Sequence, residues 1–220
     1  MSTFPNVLQP PFEDVFKQNF RLKGKWSNDF FGNHHPITVE LGCGKGEYTV
    51  GLAKKFSGSN FIGIDIKGAR IWKGAKAALN ENVSNAGFLR TRIDFIESFF
   101  AENEVSEIWV TFPDPQLKKS LKRLTSTRFL KRYQSFLIDG GLIHLKTDNP
   151  ELYHYTKDLA EFNGLPIEFA TEDLYHSGST DEILAIRTFY ETMWIEAGLP
   201  IHYLKFRLYT KTPLNEPPDE

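Results

Sequence analysis

The chain has 220 residues, of which 40% are hydrophobic and 25% charged. This length and apolar fraction are typical of one globular domain with a core of its own. No apolar run approaches the roughly 20 residues that cross a bilayer, and residues 1–20 lack the basic start and apolar middle of a signal peptide. Cys43 is the only cysteine, which excludes an internal disulfide and a thiolate-rich zinc site. We therefore expect a cytoplasmic protein with no metal and no membrane partner.

The net charge of −2 argues against nucleic acid as a partner only if charge is spread evenly, and it is not. Residues 115–138 contain no acidic side chain but seven cations: Lys118, Lys119, Lys122, Arg123, Arg128, Lys131 and Arg132. This segment predicts a surface that binds nucleic acid. The alternative interpretation is a solvated helix face.

Strand and helix signals alternate along the chain. The predicted strands are Ile37–Leu41, Asn60–Ile66, Ala86–Ile93, Glu107–Phe112, Leu142–Lys146, Ile167–Thr171 and His202–Tyr209. The predicted helices are Glu47–Phe56, one around Ile71 to Leu79, Thr125–Leu137, Asn149–Phe162 and Asp181–Ala197. We expect Gly140 and Gly141 to end the third helix.

This alternation predicts an α/β fold: a seven-stranded, mostly parallel sheet with helices on both faces, Rossmann-like, that binds ligands at the carboxyl ends of its strands. We place this domain at residues 37–211. An N-terminal extension occupies residues 1–36. The acidic, proline-containing tail at residues 212–220 is predicted to be disordered.

A glycine-rich turn follows the first predicted strand. Gly42, Gly44 and Gly46 alternate with other residues, whereas a dinucleotide fingerprint requires its third glycine one position later, where Glu47 stands. Asp65, at the end of the second strand, is suited to accept the ribose hydroxyls of an adenosyl group. The turn therefore favours a nucleoside cofactor other than NAD.

Two further carboxylates identify the cofactor more closely. Glu40 precedes the turn, where an anion would attract the cationic methionine part of S-adenosylmethionine and repel a pyrophosphate. Asp94 follows the third strand and is placed to hold the adenine amino group, although an aspartate there is also suited to cap a turn or helix. We predict S-adenosylmethionine as the cofactor.

The fourth predicted strand is followed by Pro113-Asp114-Pro115, a stiff turn that fixes a carboxylate at the strand end. Methylation of pyrimidine carbon needs a cysteine nucleophile, which this turn lacks. Methylation of an exocyclic amine commonly uses Asp or Asn before two prolines and an aromatic ring, a pattern that Asp114-Pro115 only partly matches. A ring nitrogen such as N7 of guanine needs no proton removed before attack. We therefore predict a catalytic role for Asp114 in stabilising positive charge, with a purely structural turn as the alternative.

Four blocks of the sequence resemble the bacterial tRNA (guanine-N7-)-methyltransferase family. They are residues 39–46 (VELGCGKG), 112–115 (FPDP) with Lys118 and Lys119 after it, 144–149 (HLKTDN), and 188–191 (TFYE) with 198–201 (GLPI) after it. The resemblance implies a class I methyltransferase fold and methylation of guanine 46 in the tRNA variable loop, with no DNA substrate. The sequence departs from the family at Gln116 and Leu117, where Trp-Pro is usual, and at Ser120 and Leu121, where a histidine is usual. These departures concern tRNA docking.

Carried over to this chain, the resemblance places Glu40, Gly42, Gly44, Asp65, Asp94 and Asp114 at the cofactor. It places Lys118, Asp148, Thr188, Phe189, Tyr190 and Glu191 at the guanine nucleotide. Asp148 and Glu191 fit as acceptors for the N1 and N2 hydrogens of guanine, and Tyr190 fits as a ring that stacks on the base. Alternatively, Asp148 caps the following helix and Tyr190 belongs to the core.

Three other functions remain open at this point. The first is a nucleic-acid methyltransferase that acts on an exocyclic amine, the second a non-catalytic RNA-binding protein with this fold, and the third an NAD-dependent oxidoreductase. The glycine spacing and Glu40 weigh against the third. The sequence leaves open whether the chain is a monomer or a homodimer.

Overall fold

The computed structural model describes residues 4–179 and 181–218. Eight strands form one sheet: β1 Val7–Leu8, β2 Ile37–Leu41, β3 Asn60–Asp65, β4 Ala86–Arg90, β5 Val105–Thr111, β6 Leu137–Thr147, β7 Ile167–Thr171 and β8 His202–Leu208. Their spatial order is β1-β4-β3-β2-β5-β6-β8-β7. The pairs from β1 to β6 are parallel, and β8 runs antiparallel to both β6 and β7.

Five α-helices cover the sheet: α1 Glu47–Lys55, α2 Gly68–Asn80, α3 Thr127–Tyr133, α4 Pro150–Phe162 and α5 Phe189–Glu196. Because side chains alternate across a strand, the two faces carry separate buried clusters. On one face, α1 and α2 pack against the sheet around Trp109, and on the other, α3 and α4 pack around Val110. This confirms the predicted α/β fold with helices on both faces.

The eighth strand belongs to the N-terminal extension. Val7 lies beside Phe88 in a parallel pair with β4, and Trp26 is buried, with its indole N–H donating to the carbonyl of Phe99 at 2.8 Å. The sheet therefore has eight strands rather than the predicted seven. The buried core therefore extends into the N-terminal extension, beyond the domain boundary predicted at residue 37.

The third predicted helix is shorter than expected, and the two glycines do not end it. Helix α3 stops at Tyr133, and β6 already begins at Leu137, beside Val105. The next pair, Glu107 with Leu142, shows that residues 138–141 bulge out of the β5–β6 ladder, with Gly140 in the left-handed region at φ +71°. Glycine inside a strand commonly marks such a bulge.

The last predicted helix also begins later than expected, at Phe189 rather than at Asp181. The ammonium group of Lys146 donates to the carbonyls of Leu184 and Ile186, at 3.0 and 3.2 Å. These long-range hydrogen bonds satisfy carbonyls that a helix would otherwise use, so the segment before α5 remains a series of turns.

The C-terminal segment packs on the domain as far as the structure describes it. Leu214 is buried, and the Glu216 carboxylate accepts hydrogen bonds from the N–H and hydroxyl of Thr127 and from the hydroxyl of Tyr155. The structure thus differs from the predicted disordered tail for these residues, while residues 219 and 220 lie outside the described part. Among the described residues, no helix is long and apolar enough to span a membrane.

Candidate active site

A cavity of about 500 Å³ opens at the carboxyl ends of β2, β3 and β4. Its volume is in the range of pockets that hold small ligands and cofactors. It is lined by Gly42, Asp65, Ile66, Thr91, Arg92, Ile93, Asp94, Gln116, Lys122, Leu124, Arg128 and Phe129. The structure therefore brings together Gly42, Asp65 and Asp94, three of the predicted cofactor residues.

The glycine-rich turn is held against the end of β3 by Asp65. One carboxylate oxygen accepts from the N–H of Gly44 at 2.9 Å, and the other accepts from the N–H of Lys67 at 2.7 Å. Gly44 has φ +55°, a backbone conformation that residues with a Cβ rarely adopt. A Cβ on Gly46 would lie 2.5 Å from the ring of Phe88. Gly46 thus requires glycine and Gly44 favours it, and each oxygen of Asp65 retains a second lone pair at the cavity wall.

Glu40 lies behind the turn and does not line the cavity. Its carboxylate is buried and accepts from the N–H and hydroxyl of Thr49 on α1 and from the hydroxyl of Thr111 on β5. Burial raises the pKa of Glu40 to about 7, although these hydrogen bonds act in the opposite direction. A cationic ligand near this carboxyl would favour its ionised form.

Asp94 forms the rim of the cavity together with two arginines. Arg128 donates to one carboxylate oxygen at 3.0 Å, and Arg92 donates to the other at 3.4 Å. The side chain of Asp94 is 33% exposed. The charge pattern of the sequence assigns Arg128 to the nucleic-acid surface, but in the structure it positions a candidate cofactor residue.

The turn at Pro113-Asp114-Pro115 is flanked by two residues in the left-handed region, Phe112 at φ +47° and Gln116 at φ +48°. Such conformations are costly for residues other than glycine and tend to occur at functional sites. The N–H of Phe112 donates to the carbonyl of Lys146 on β6, and the Asp114 carboxylate accepts from the N–H of Gln116 at 3.0 Å. Asp114 is exposed and lies two residues from Gln116 in the cavity wall.

Asp148 follows β6, the strand beside β5, and therefore comes to the same edge of the sheet as Asp114. It does not cap α4, because Asn149 accepts from the N–H of Leu152 at 2.8 Å and is the cap. Asp148 is half-buried, and within the described residues no hydrogen bond to its carboxylate is present.

Glu191 is fully buried and lies in an ion pair with Lys146 at 2.6 Å. The same oxygen accepts from the hydroxyl of Tyr175 at 2.6 Å, and the other accepts from the N–H of Thr188, whose hydroxyl in turn accepts from the N–H of Glu191. This reciprocal pair is a capping box at the start of α5. In this arrangement Glu191 is not placed to accept hydrogens from guanine, which differs from the role predicted for it.

The two residues between Thr188 and Glu191 are exposed, in contrast to the buried Glu191. Phe189 and Tyr190 are 50% and 41% exposed, so Tyr190 is not part of the core. The ammonium of Lys45, in the glycine-rich turn, lies 3.6 Å from the centre of the Phe189 ring. Lys118 is also exposed, but it lines a separate groove on α4, beside Tyr155.

Sequence reasoning missed the partner groups that hold these site residues. Lys146 belongs to one of the blocks that carry the family resemblance, yet it is buried, and burial lowers its pKa while Glu191 acts in the opposite direction. Thr49 and Thr111, which hold Glu40, carry no signal of their own. A lysine inside an otherwise apolar strand was the one available signal, since buried lysines are rare unless paired.

The architecture and the cavity define the class. A mostly parallel sheet with a glycine-rich turn after β2 and an acidic residue at the end of β3 is the arrangement of S-adenosylmethionine-dependent methyltransferases. A family model described as a putative methyltransferase matches residues 34–204. A solved structure of a SAM-dependent methyltransferase from Aquifex aeolicus shares the fold, with a TM-score of 0.55 and 14% identity over 81% of this chain and 85% of that one.

Closer relatives narrow the class to a family. A tRNA (guanine-N(7)-)-methyltransferase from Porphyromonas gingivalis is 60% identical over 211 residues, which are 94% of this chain and 86% of that protein. Its counterpart from Bacteroides thetaiotaomicron is 55% identical over 217 residues, which are 99% of this chain and 86% of that protein. The chain belongs to the tRNA (guanine-N(7)-)-methyltransferase family.

Proposed function

We propose that this protein transfers the methyl group of S-adenosylmethionine to N7 of guanine 46 in the variable loop of tRNA, and that it does so in the cytoplasm. The observation that carries the proposal is the edge of the sheet where β2, β3, β5 and β6 end. There, a cavity of about 500 Å³ with Asp65 and Gln116 in its wall adjoins the Asp114 turn, and Asp148 follows β6 at the same edge. The relatives at 55% and 60% identity are named tRNA (guanine-N(7)-)-methyltransferases, which supports N7 of a tRNA guanine as the acceptor.

The cofactor fits the donors and charges of the cavity. Asp65 presents two carboxylate oxygens to the ribose hydroxyls, and Asp94 accepts from the adenine amino group. Gly42 and Gly44 leave room for the ligand beside the backbone of the turn. Glu40 supplies negative charge behind the turn, at the end where the methionine part lies. S-adenosylmethionine supplies an activated methyl group.

The chemistry at guanine needs little from the protein except alignment and charge. The N7 lone pair forms a bond to the methyl carbon while the carbon–sulfur bond breaks, so positive charge moves from sulfur to the purine. No proton has to leave before attack. Asp114 stabilises the developing charge on the purine, and holding the two reactants in line supplies the larger part of the rate enhancement.

Recognition of guanine falls to residues at the same edge. Asp148 accepts the N1 and N2 hydrogens, the donor edge that adenine lacks. Lys118 lines the separate groove beside α4 and contacts a phosphate farther along the tRNA. Phe189 and Tyr190 offer exposed rings for stacking, and Thr188 and Glu191 hold those rings in place through the capping box and the ion pair with Lys146.

A single substrate analogue tests the site of methylation. tRNA with 7-deazaguanine at position 46 keeps the N1 and N2 donors but lacks the attacking nitrogen. We expect it to bind like natural tRNA and to remain unmethylated, as measured by mass spectrometry of the nucleosides. Methylation of the analogue at the natural rate would overturn the N7 assignment and favour an exocyclic amine.

Recognition of guanine is tested by Asp148→Asn, with the exposed Asp29→Asn in the N-terminal segment as the matched control. Unpaired donors in a closed site cost about 1–3 kcal/mol, so we expect roughly a tenfold to hundredfold loss of kcat/KM for tRNA. Binding of S-adenosylmethionine should not change in either variant. Full activity of Asp148→Asn would show that Asp148 does not recognise guanine.

A further inference from the structure

Helix α2 carries a second group of cations that the proposed site does not use. Residues 66–80 contain no acidic side chain and four cations: Lys67, Arg70, Lys73 and Lys76. The helix buries Ile71, Gly74, Ala75 and Ala78. Since each helical residue turns about 100°, Arg70, Lys73 and Lys76 follow one another around the outer side of the helix.

Within the described part of the chain, these cations form no ion pair. Among residues 4–179 and 181–218, no carboxylate lies within ion-pair distance of any of the four or of Lys45. Lys73 and Lys76 are exposed. A cluster of like charges destabilises the isolated protein slightly, and a polyanion offsets that cost when it binds.

The cations continue directly from the cofactor site. The N–H of Lys67 donates to Asp65, and α2 follows at once. Gly74 lets the helix touch the glycine-rich turn, since a Cβ there would lie 2.5 Å from the carbonyl oxygen of Lys45. The guanidinium of Arg70 lies 6.0 Å from the centre of the Tyr190 ring. One surface thus runs from the exposed rings of α5 across the turn and along α2.

An exposed aromatic ring lies farther along the same helix. Trp72 is 39% exposed, and the ammonium of Lys76 lies 4.8 Å from the centre of its ring. Surfaces that hold nucleic acid without reading its sequence combine cations for the backbone with aromatic rings for unstacked bases.

We propose that the α2 surface, defined as Lys45, Lys67, Arg70, Lys73 and Lys76, binds the phosphodiester backbone of tRNA. The inference rests on the proposed function and adds a second contact to it. Helices α1 and α2 pack on one face of the sheet and α3 on the other. Lys122 is exposed at the cavity wall, in the segment that packs on α3. The substrate therefore straddles the carboxyl edge of the sheet, held by the α2 surface on one side and by Lys122 on the other.

The test removes two charges far from the cofactor, in the double variant Lys73→Gln/Lys76→Gln. The matched control is Lys25→Gln/Lys211→Gln, which makes the same charge change at exposed lysines near the opposite edge, beside Glu104 and Asp139. For each protein, the affinity for tRNA is measured against KCl concentration, together with kcat, KM for tRNA, the Kd of S-adenosylmethionine and the melting temperature.

For the α2 variant we expect the slope of log affinity against log salt to shrink by about 0.7–0.9 for each phosphate that the protein no longer neutralises. KM for tRNA should rise about tenfold, while kcat, cofactor affinity and melting temperature stay as in the wild type. The control should match the wild type in every measurement.

Two outcomes would overturn the inference: a wild-type slope and KM in the α2 variant, or an equally reduced slope in the control, which would indicate a general effect of net charge. Both are distinct from a failure of the proposed function. That failure would appear as wild-type protein that binds tRNA without methylating it at N7.

Discussion

Two segments of this chain are rich in cations and contain no acidic residue, yet the fold uses them differently. In the first, residues 115–138, Arg123 is buried and pairs with Glu151, Arg128 pairs with Asp94 at the cofactor rim, and Arg132 pairs with Glu97. In the second, residues 66–80 on α2, no ion pair forms within the described part of the chain. In the first segment the three arginines therefore serve internal support, whereas its four lysines, like the cations of residues 66–80, form no ion pair within the described part of the chain.

The difference follows from side-chain type and from partners that are distant in the sequence. The engaged cations are arginines, whose planar guanidinium can bind several acceptors at once, whereas three of the four cations in residues 66–80 are lysines. Arg123 donates to the carbonyl of Pro115 and to Glu151, and it also lies 4.4 Å from the centre of the Tyr155 ring. A run of cations thus indicates an RNA surface only after its internal partners are known.

The strongest test of this comparison is Arg123→Ala, with Lys131→Ala as control. The sequence alone assigns both residues to the RNA surface, but only Arg123 is buried. Removing its ion pair and hydrogen bonds should lower the free energy of unfolding by about 2–3 kcal/mol. Removing the exposed Lys131 should change it by less than about 0.5 kcal/mol. Urea unfolding measures both, and equal stability of the two variants would contradict the internal role of Arg123.

A smaller effect is expected for Arg128→Ala. Because both partners of the Arg128–Asp94 pair are about one-third to one-half exposed, the pair contributes at most about 1 kcal/mol. We expect up to about a fivefold weaker Kd for S-adenosylmethionine by calorimetry, with the salt dependence of tRNA binding unchanged. Arg128→Lys keeps the charge and serves as control. A reduced salt slope with unchanged cofactor affinity would indicate that Arg128 contacts tRNA and does not support the cofactor site.

The smallest effect is expected for Lys122→Gln, an exposed residue at the cavity wall without an ion pair in the described structure. If it contacts one phosphate, the slope of log tRNA affinity against log salt should fall by about 0.7–0.9. Protein stability and cofactor binding should stay as in the wild type. An unchanged slope would leave the α2 surface as the main electrostatic contact.

The sequence by itself determined the features that depend on neighbouring residues. Strand β2, the glycine-rich turn after it and Asp65 at the end of β3 were all found from local apolar runs and glycine spacing. The exposed Asp114 turn followed in the same way from two prolines around a carboxylate. Such patterns are readable because backbone conformation and strand burial respond mainly to local sequence.

Only the tertiary structure decided which polar groups remain available. Glu191 and Asp148 both match blocks of the family. Glu191 is held in an ion pair by the buried ammonium of Lys146. Asp148 stays at the sheet edge, because Asn149 rather than Asp148 caps α4. Lys146 also shortens α5 by taking the carbonyls of Leu184 and Ile186. A buried charge has to be paired with a group that the fold brings next to it. Lys146 and Glu191 are 45 positions apart in the sequence, so no local pattern predicts their ion pair.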